Sequence, residues 1–530
     1  MLVSVTAHRL NLVEMISDPE TRVCVPLNEK TVRALLSATA SIPEAADMIE
    51  LRLDGLDPGQ IQTATLELRN LVGTGSRPFV VTFRPLEQGG YRSITAKERL
   101  AFWEKQFDLE GVFFDLESDL VQELTTLDAA AQPDWSRVIC SHHDFSGVPN
   151  NLEELYEEMA FTPARILKLA INADDVVDCL IVFNLLDRAR DDGREIIAIA
   201  MGEAGVITRI LGPSRGSFLT YGALEVDRGT APGQVVASDL KSVYRIEQID
   251  RETIITGLVG SPVSHSVSPH MHNSAFREAA INGVYLPLEV RNLGQFFKRM
   301  ATPRTRELDW NLRGLSITAP HKTEVMNYLD WIEPRAQKIG AVNTVLLENE
   351  QLRGYNTDAD GLIAPLIQRM GSIAGLRAAV IGTGGAASAA VFALQEQEVD
   401  VCVYARDSEK AQALCQRFNI SCEPLQSSFA GKDIVINATP LGSLGAHVAE
   451  TPAIANQLRG VGLVYDLVYN PIETRFLVEA RKAGCQVLGG LEMLVAQAKL
   501  QFKIWTNTNA SSELMYAAGS SALNKTFSRD

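Results

Sequence analysis

The residue with the clearest chemical potential is Lys168, which lies inside the apolar run Arg165-Ile-Leu-Lys-Leu-Ala-Ile171. This run has the composition of a buried strand. Burial disfavours an ammonium ion, so a lysine in such a place favours a neutral amine that can form an imine with a ketone. The structural alternative is a lysine at the end of the strand that pairs with a carboxylate. Lys168 therefore suggests carbonyl chemistry.

Other polar residues fall at the ends of neighbouring apolar runs, and they are Glu50, Arg52, Arg84, His143 and Arg209. Arginines that converge on one lysine would repel one another in a structural core, but they suit a substrate that carries a carboxylate and hydroxyl groups. A histidine beside them supplies general acid–base catalysis near neutral pH. These residues predict one site around Lys168.

A glycine-rich turn, Gly382-Thr-Gly-Gly-Ala-Ala-Ser388, follows the apolar run Ala378-Ala-Val-Ile381. Such a turn lets backbone amides approach a pyrophosphate at the N-terminus of a helix. The predicted cofactor contacts here are Gly382, Gly384, Gly385, Ala386 and Ala387. The next strand ends in Arg406, with Lys410 one helical turn later, where an NAD enzyme places an acid for the ribose 2′-hydroxyl. Two cations favour a 2′-phosphate and hence NADP(H); an exposed basic pair is the alternative.

Two charged residues upstream of this turn form a second reactive pair, Lys322 in SITAPHK and Asp358 in GYNTD. Together they can move a proton while a hydride moves at a carbinol carbon, whereas the alternative is an ordinary surface salt bridge. The histidines at 265, 270 and 272 suggest a metal site at first sight. No carboxylate lies among them and Ser-Pro begins a helix well, so we predict a loop and a helix start without a metal.

Composition bounds the class of protein. A chain of 530 residues is too long for one core and predicts two to four domains. No apolar run is long enough to span a bilayer, and a net charge of −16 argues against a general nucleic-acid binder. We expect small-molecule partners, with no nucleic acid and no membrane, and the oligomeric state stays open. Seven scattered cysteines without CxxC pairs, and an N-terminus without signal or transit features, predict a cytoplasmic protein.

The elements that must position these residues follow a regular pattern in the first half. Short β-rich runs, with helical stretches between them, occupy 22–27, 48–54, 79–84, 111–117, 137–144, 165–171, 195–202 and 218–224. This alternation predicts a (β/α)8 barrel over 1–248, whose reactive residues lie at the carboxyl ends of the strands. Residues 1–20, with a strand-like run at 2–7, are predicted to be an N-terminal extension.

The second half has a different order. After Thr253, strands near 283–290, 314–319 and 341–347 precede the glycine-rich turn, and further strands follow at 400–405, 433–438, 462–468 and 485–489. We predict a two-domain α/β dehydrogenase, with a substrate-binding domain at 252–359 and 485–510 and a Rossmann-type nucleotide domain at 360–484. The Ser/Asn-rich segment 511–530 is predicted to be a tail with at most a short helix around 514–518.

Residues 20–248 resemble the type I 3-dehydroquinate dehydratases, because ExR, TFRP, HDF, LK, MGxxGxxTR and APGQ stand in that family's order. The resemblance implies that Lys168 forms a Schiff base with the C3 ketone of 3-dehydroquinate. It also implies that His143 removes a C2 proton and later protonates the departing hydroxyl, which gives 3-dehydroshikimate without a metal or prosthetic group. The implied substrate-binding residues are Glu50, Arg52, Arg84, Arg209, Thr230 and Gln234. Where the family commonly has Glu before Gly-Gly, this chain reads Glu87-Gln88, so the acid is either lost or displaced by one residue.

Residues 253–510 resemble the shikimate dehydrogenases through SxSP, TxPHK, GAVNT, NTD, GxGGAA, NAT, DLVYNPxxT and GGLEMLVAQA. The resemblance implies that Lys322 and Asp358 are catalytic and that Asn437 and Thr439 lie along the cofactor. The implied shikimate contacts are Ser266, Ser268, Thr318, Asn343, Asp358, Tyr469 and Gln497. The family's basic clamp has an Asn before the arginine, and here that residue is Ala405.

The two halves together predict a fused enzyme that dehydrates 3-dehydroquinate and then reduces 3-dehydroshikimate with NADPH. The product of the first reaction is the substrate of the second. One alternative is quinate dehydrogenase activity in the second half, decided by how the pocket at Ser266 and Ser268 treats an extra hydroxyl. Another is a non-catalytic sensor that only binds the metabolite, although a sensor has no need of the reactive groups Lys168, His143, Lys322 and Asp358.

Overall fold

The computed structural model describes residues 21–74, 77–225, 228–425 and 428–527. The predicted N-terminal extension over 1–20 lies outside the described residues. The chain divides into two compact units, Met1–Arg251 and Glu252–Asp530.

The first unit is a parallel barrel. Its strands are Val23–Leu27 (β1), Met48–Arg52 (β2), Phe79–Thr82 (β3), Val112–Glu117 (β4), Val138–Asp144 (β5), Ile166–Asn172 (β6), Glu195–Met201 (β7) and Thr220–Tyr221 (β8). They are ordered β7-β6-β5-β4-β3-β2-β1-β8, and β8 pairs in parallel with β1. Between β7 and β8 the Phe218 amide donates to the Ile196 carbonyl at 2.7 Å, so the barrel is nearly closed. The predicted barrel is confirmed.

A helix follows each of these strands. The helices are Val32–Ala40 (α1), Ile61–Thr74 (α2), Ala96–Trp103 (α3), Ser118–Thr125 (α4), Leu152–Ala160 (α5), Leu180–Asp191 (α6), Val206–Leu211 (α7) and Ala237–Ser242 (α8). Their apolar faces cover the outside of the strands, as the fully buried Leu120 and Val121 of α4 illustrate. This covering explains why the strands read as nearly continuous apolar runs.

The layering inside the barrel explains where the polar residues must lie. Met48, Phe113 and Ile166 belong to one apolar cluster inside the barrel. Side chains alternate along a strand, so the residue two positions later points to the same interior, one layer nearer the carboxyl end. Those residues are Glu50, Asp115 and Lys168. The polar layer is therefore built directly on the apolar one.

The second unit begins with a mixed sheet. Its strands are Ile254–Gly260 (β9), Gly283–Glu289 (β10), Leu312–Ile317 (β11), Trp331–Ile332 (β12), Thr344–Glu348 (β13) and Gln351–Tyr355 (β14). They are ordered β10-β9-β11-β13-β14-β12, with β13 antiparallel to both β11 and β14. The associated helices are Ser268–Glu278 (α9), Leu293–Phe296 (α10), Pro334–Ile339 (α11) and Asp358–Met370 (α12).

A six-stranded parallel sheet follows. Its strands are Arg377–Ile381 (β15), Asp400–Ala405 (β16), Ser421–Pro424 (β17), Ile434–Asn437 (β18), Leu463–Asp466 (β19) and Gln486–Leu488 (β20). The order β17-β16-β15-β18-β19-β20 reverses at β15, which is the doubly wound order of a dinucleotide-binding fold. Since β20 belongs to this sheet, the nucleotide sheet extends past the predicted boundary at 484. The helices are Gly385–Glu396 (α13), Ser408–Phe418 (α14) and Arg475–Lys482 (α15).

The end of the chain is helical, which corrects the prediction of a tail with at most a short helix. Helix Gly490–Thr506 (α16) is followed by helix Ser512–Phe527 (α17). Met515 and Leu523 of α17 are fully buried in a cluster that includes Met271 of α9. Gly519 permits this approach, because a Cβ there would lie 3.2 Å from Met271 Sδ. The segment is rich in Ser and Asn, but its apolar residues recur at helical spacing and form one buried stripe.

Two candidate active sites

The first site is a cavity at the carboxyl ends of the barrel strands. All the residues predicted for this half line it, namely Glu50, Arg52, Arg84, His143, Lys168, Arg209, Thr230 and Gln234. The cavity also includes Gln88, Phe145 and Tyr221. One small space therefore collects cations, acids, an imidazole and hydroxyls from several different strands and loops.

Lys168 is buried in the barrel and is also paired with a carboxylate. Both alternatives given by the sequence therefore hold for this residue. Its Nζ donates to Asp115 Oδ2 at 2.7 Å and to the Tyr221 hydroxyl at 2.9 Å. Glu50 Oε1 lies 4.0 Å from the same nitrogen. Lys168 is 4% exposed, so this polar cluster is shielded from water. The amine is held in a fixed position at the base of the cavity.

Asp115 and Glu117 are functional candidates that the sequence analysis missed. Arg84 Nη2 donates to Asp115 Oδ1 at 2.5 Å, and Arg84 Nε lies 3.5 Å from Glu117 Oε1. Burial disfavours the Asp115 carboxylate, but Arg84 and Lys168 outweigh burial and hold the pKa of Asp115 below its ordinary value. Burial raises the pKa of Glu117 to about 7 against the opposing effect of Arg84. The available signal was two acids inside the apolar run VFFDLE, the same signal that revealed Lys168.

His143 is held at two points. Its Nε2 lies 2.8 Å from Arg84 Nη1, and its backbone amide donates to Gln88 Oε1 at 2.9 Å. Burial, reinforced by the charges of Arg84 and Lys168, lowers the pKa of His143 well below 6.5. The imidazole is therefore neutral at pH 7 and able to accept a proton. Glu87 is exposed while Gln88 lines the cavity, so the expected acid is replaced by an amide rather than displaced by one residue.

The three arginines of this site differ in their pairing. Arg52 makes a two-point contact with Asp54, at 3.1 and 2.8 Å, and Arg84 pairs with Asp115 and Glu117. Arg209 is 1% exposed and forms no ion pair among the described residues; its Nη2 donates to the Pro232 carbonyl at 3.3 Å. Burial lowers the pKa of Arg209 to about 10, which leaves it cationic at neutral pH. Among the described residues no acidic side chain neutralises Arg209, so a bound anion would stabilise it.

The second site is a cleft of about 500 Å³ within the second unit. The predicted residues that line it are Ser266, Ser268, Thr318, Lys322, Asn343, Asp358, Tyr469 and Gln497. Ala386 of the glycine-rich turn also reaches this cleft. The cleft thus joins the residues predicted for shikimate to one residue predicted for the cofactor.

The centre of the cleft is a hydrogen-bonded group of three side chains. Lys322 Nζ donates to Asp358 Oδ2 at 2.6 Å, and Asn343 Nδ2 donates to Asp358 Oδ1 at 2.7 Å. Asp358 opens α12 and is buried, whereas the Lys322 side chain is 21% exposed. The carboxylate is fixed from both sides, and the ammonium keeps access to the cleft.

The remaining predicted cofactor residues lie along the carboxyl edge of the parallel sheet rather than in the cleft. Gly382 has a φ of 121°, and a Cβ at Gly384 would meet nothing within 4 Å, so a ligand can approach this turn closely. Arg406 and Lys410 are exposed after β16. At the end of β18, Thr439 Oγ1 donates to Asn437 Oδ1 at 2.6 Å. An open glycine turn at the start of α13 and an exposed cation pair fit a dinucleotide with a 2′-phosphate.

The histidine-rich segment forms a helix start, with Pro269 in the first turn of α9. His272 is fully buried and stacks on Tyr285 with a ring separation of 4.3 Å. Burial lowers the pKa of His272 to about 3, so the ring is neutral.

Within the described ranges, no group of three or more His, Cys, Asp or Glu side chains is arranged to hold a metal ion. In the same ranges, no helix is both long and apolar enough to cross a bilayer.

Comparisons with protein families agree with the division of the chain into two units at Arg251. The type I 3-dehydroquinase family matches residues 23–251, and the shikimate dehydrogenase substrate binding domain matches 258–345. The shikimate / quinate 5-dehydrogenase family matches 366–454, and the shikimate 5′-dehydrogenase C-terminal domain matches 490–518. The last match includes the beginning of α17.

Three curated proteins illustrate the similarity over different lengths. The bifunctional 3-dehydroquinate dehydratase/shikimate dehydrogenase, chloroplastic, of Arabidopsis thaliana is 31% identical over 516 residues, covering 93% of this chain and 83% of the relative. The shikimate biosynthesis protein AroDE of Chlamydia pneumoniae is 28% identical, covering 87% of this chain and 90% of the relative. The shikimate dehydrogenase (NADP(+)) of Caldanaerobacter subterraneus is 40% identical, covering 51% of this chain and 97% of the relative.

Proposed function

Because the chain belongs to the family of bifunctional 3-dehydroquinate dehydratase/shikimate dehydrogenases, it has a dehydratase and an NADP-dependent dehydrogenase activity, and we propose the residues that perform each. The barrel cavity carries out the dehydration, and the cleft of the second unit carries out the reduction. The substrates are 3-dehydroquinate and 3-dehydroshikimate, and the final product is shikimate.

In the barrel, Lys168 acts as the nucleophile. Lys168 gives up one proton so that its neutral amine adds to the C3 ketone. That proton returns as the carbinolamine loses water, and the protonated imine that forms makes the neighbouring C2 proton more acidic. His143 accepts that proton, and the electron pair flows toward the imine nitrogen to form an enamine. The enamine then expels the hydroxyl group next to C2, which takes the proton back from His143 and leaves as water. Hydrolysis of the imine releases 3-dehydroshikimate and restores Lys168.

The observation that carries this assignment is that Arg209, at the reactive cavity, has no ion-pair partner among the described residues. A buried guanidinium without an acidic partner costs free energy unless a ligand supplies the charge. The substrate's carboxylate has the geometry that a guanidinium binds through two parallel hydrogen bonds. Glu50, Arg52, Arg84, Thr230 and Gln234 would then hold its hydroxyl groups, and the carboxylate at Arg209 would orient C2 and C3 toward His143 and Lys168.

In the second unit, Lys322 and Asp358 move the proton that accompanies reduction. NADPH, when bound, supplies the hydride. Lys322 donates a proton to the carbonyl oxygen that becomes the hydroxyl, and Asp358 holds the ammonium at 2.6 Å and stabilises its charge. Ser266, Ser268, Thr318, Asn343, Tyr469 and Gln497 would hold the ring hydroxyls and carboxylate. Gly382, Gly384, Gly385, Ala386, Ala387, Asn437 and Thr439 would hold the dinucleotide, and Arg406 with Lys410 its 2′-phosphate.

Borohydride trapping tests the barrel assignment. Borohydride with 3-dehydroquinate should add the mass of the reduced substrate to the peptide that contains Lys168. An unmodified Lys168, or the adduct on another lysine, would overturn the imine. His143→Gln should still trap an imine while losing turnover, since His143 acts after the imine forms.

Substrate choice tests the second assignment. The protein should oxidise shikimate with NADP, and Lys322→Met should lose this activity while it still binds NADP. Exclusive use of quinate with NAD would contradict the assignment and favour the alternative in which the pocket at Ser266 and Ser268 accepts the extra hydroxyl.

The domain limits and the cellular location are also our proposals. We assign the barrel to 1–248, the substrate domain to 252–359 with 490–510, and the nucleotide domain to 360–488, because β20 pairs with β19 in the nucleotide sheet and the chain divides at Arg251. A cytoplasmic location is supported by the cysteines, all seven of which are free thiols. Cell fractionation with an antibody to the barrel tests the location, and recovery with an organelle would contradict it.

A further inference from the structure

Tyr221 touches the proposed nucleophile, and the mechanism above gives it no role. Its hydroxyl lies 2.9 Å from Lys168 Nζ, and the same nitrogen lies 4.5 Å from the centre of the Tyr221 ring. Tyr221 is 4% exposed and lines the barrel cavity. It is therefore the neutral neighbour of Lys168, beside the ionised Asp115.

The direction of this hydrogen bond leaves the tyrosine proton available. While Lys168 is an ammonium it can only donate, so the phenol oxygen accepts and must direct its own proton elsewhere. Among the described residues, the Tyr221 hydroxyl has no second hydrogen-bond partner. Burial, together with the charge of Glu50, raises the pKa of Tyr221 well above its ordinary value, so the hydroxyl keeps its proton at neutral pH. A buried O–H donor thus lies next to the amine, at the wall of the cavity.

We propose that Tyr221 is a further catalytic residue of the dehydratase, which passes a proton from nitrogen to oxygen as the substrate adds to Lys168. This inference rests on the imine mechanism proposed above. When the neutral amine attacks C3, the N–C bond forms, the C–O π bond breaks and its electron pair moves to oxygen. Nitrogen then carries one proton too many, and oxygen is an alkoxide.

The relay corrects both charges in one exchange. The Tyr221 oxygen accepts the surplus proton from nitrogen while the Tyr221 hydroxyl gives its own proton to the alkoxide. The product is a neutral carbinolamine, Tyr221 is unchanged, and no proton is consumed. The opposite exchange assists hydrolysis of the product imine, because collapse of the product carbinolamine requires that its oxygen lose a proton and its nitrogen gain one.

The test variant is Tyr221→Phe, which keeps the ring against Lys168 and removes only the hydroxyl. Rapid mixing with 3-dehydroquinate, followed by borohydride quench and mass analysis, measures the rate of adduct formation at Lys168. We expect this rate to fall about 10²-fold, the ordinary size of a general acid–base contribution, with the same final extent of labelling. The KM should change much less than kcat. Tyr244→Phe, which alters a buried tyrosine outside the cavity lining, should keep the wild-type rate.

The possible outcomes separate the two proposals. Labelling of Tyr221→Phe at the wild-type rate overturns the relay and leaves the imine intact. Absence of a Lys168 adduct in the wild-type protein overturns the imine, and the relay with it. If Tyr221→Phe does not fold, the wild-type rate of adduct formation is measured in mixtures of H2O and D2O. Two protons that move together predict a curved dependence on deuterium fraction, and a linear dependence overturns the relay.

Discussion

The two sites of this chain handle a carbonyl group in opposite surroundings. In the barrel, the Lys168 side chain is 5% exposed and lies within a dense network of ion pairs, whereas the Lys322 side chain is 21% exposed in a cleft of about 500 Å³. A covalent intermediate needs a fixed nucleophile and few water molecules, because water would hydrolyse the imine early. Hydride transfer needs room for two ligands side by side. The difference shows that burial of the lysine follows from the chemistry that each site must perform.

The variant Lys168→Ala should separate the two activities most strongly. Without a nucleophile the dehydratase should lose on the order of 10⁴-fold or more in kcat, while shikimate oxidation stays within about twofold of wild type. Formation of 3-dehydroshikimate is followed by the ultraviolet absorbance of its conjugated double bond. Residual dehydration above one per cent would mean that Lys168 is not the nucleophile.

The corresponding variant of the second site is Lys322→Ala. It should lower the kcat of its own reaction less than Lys168→Ala lowers that of the dehydratase. The dehydrogenase should lose about 10²- to 10⁴-fold in kcat, because a proton donor is removed but no covalent bond is prevented. The dehydratase should be unchanged. NADPH formation from shikimate is the assay, and unaltered binding of NADP is the control. A large rise in KM with normal kcat would assign Lys322 to binding instead.

The arginines of the barrel provide a comparison within one site. Arg209→Met should lower kcat/KM for 3-dehydroquinate about 10- to 100-fold, the value of charge-assisted hydrogen bonds to a carboxylate. Its thermal unfolding midpoint should not fall, because the lost charge has no acidic partner among the residues that the structure describes. Arg52→Met leaves the buried Asp54 carboxylate unpaired, so this variant should unfold at a lower temperature. The reverse pattern of midpoints would show that Arg209 is the structural arginine.

Arg406 lies at the carboxyl edge of the parallel sheet. The variant Arg406→Ala should weaken NADP binding only modestly, because the side chain is exposed. We expect about a tenfold loss of NADP affinity with little change for NAD, so that the preference between the two cofactors narrows. The loss should shrink at high salt, since exposed charges are screened. Equal loss of both cofactors would argue that Arg406 does not face the 2′-phosphate.

The smallest expected change concerns pH. Since the pKa of His143 is lowered well below 6.5, loss of its basic form should begin only below pH 6.5 in a profile of kcat/KM. Gln88→Glu places a carboxylate at the His143 backbone, which favours the imidazolium and should move this acidic limb to higher pH. A limb near pH 7 that disappears in Glu117→Gln would belong to Glu117, whose pKa burial raises to about 7.

Much of the fold and the site could be predicted from the sequence because the signals are local. The barrel strands are short apolar runs at regular spacing, and the lysine, histidine and arginines interrupt those runs. Asp115 and Glu117 interrupt one of them in the same way, but two acids at the end of a strand also resemble a helix start. Their pairing with Arg84 depends on which strands are neighbours, and that is a property of the closed barrel. The absence of an acidic partner for Arg209 among the described residues depends likewise on three-dimensional distances.

Helix α17 could not be predicted from the sequence for a different reason. Helix α17 is rich in small and polar residues, so its composition is that of a tail. Its stability comes from packing of Met515 and Leu523 against a helix more than two hundred residues earlier in the sequence, and such a partner cannot be found within a local window.

That helix also sets an order of events during synthesis. Domains generally fold as the chain leaves the ribosome, N-terminal parts first. The barrel closes when β8 pairs with β1, so the dehydratase can be complete while the whole second unit is still being made. The second unit needs α17 to cover Met271, and α17 emerges after every other element of that unit. We therefore expect each new molecule to gain the first activity of the sequence before the second.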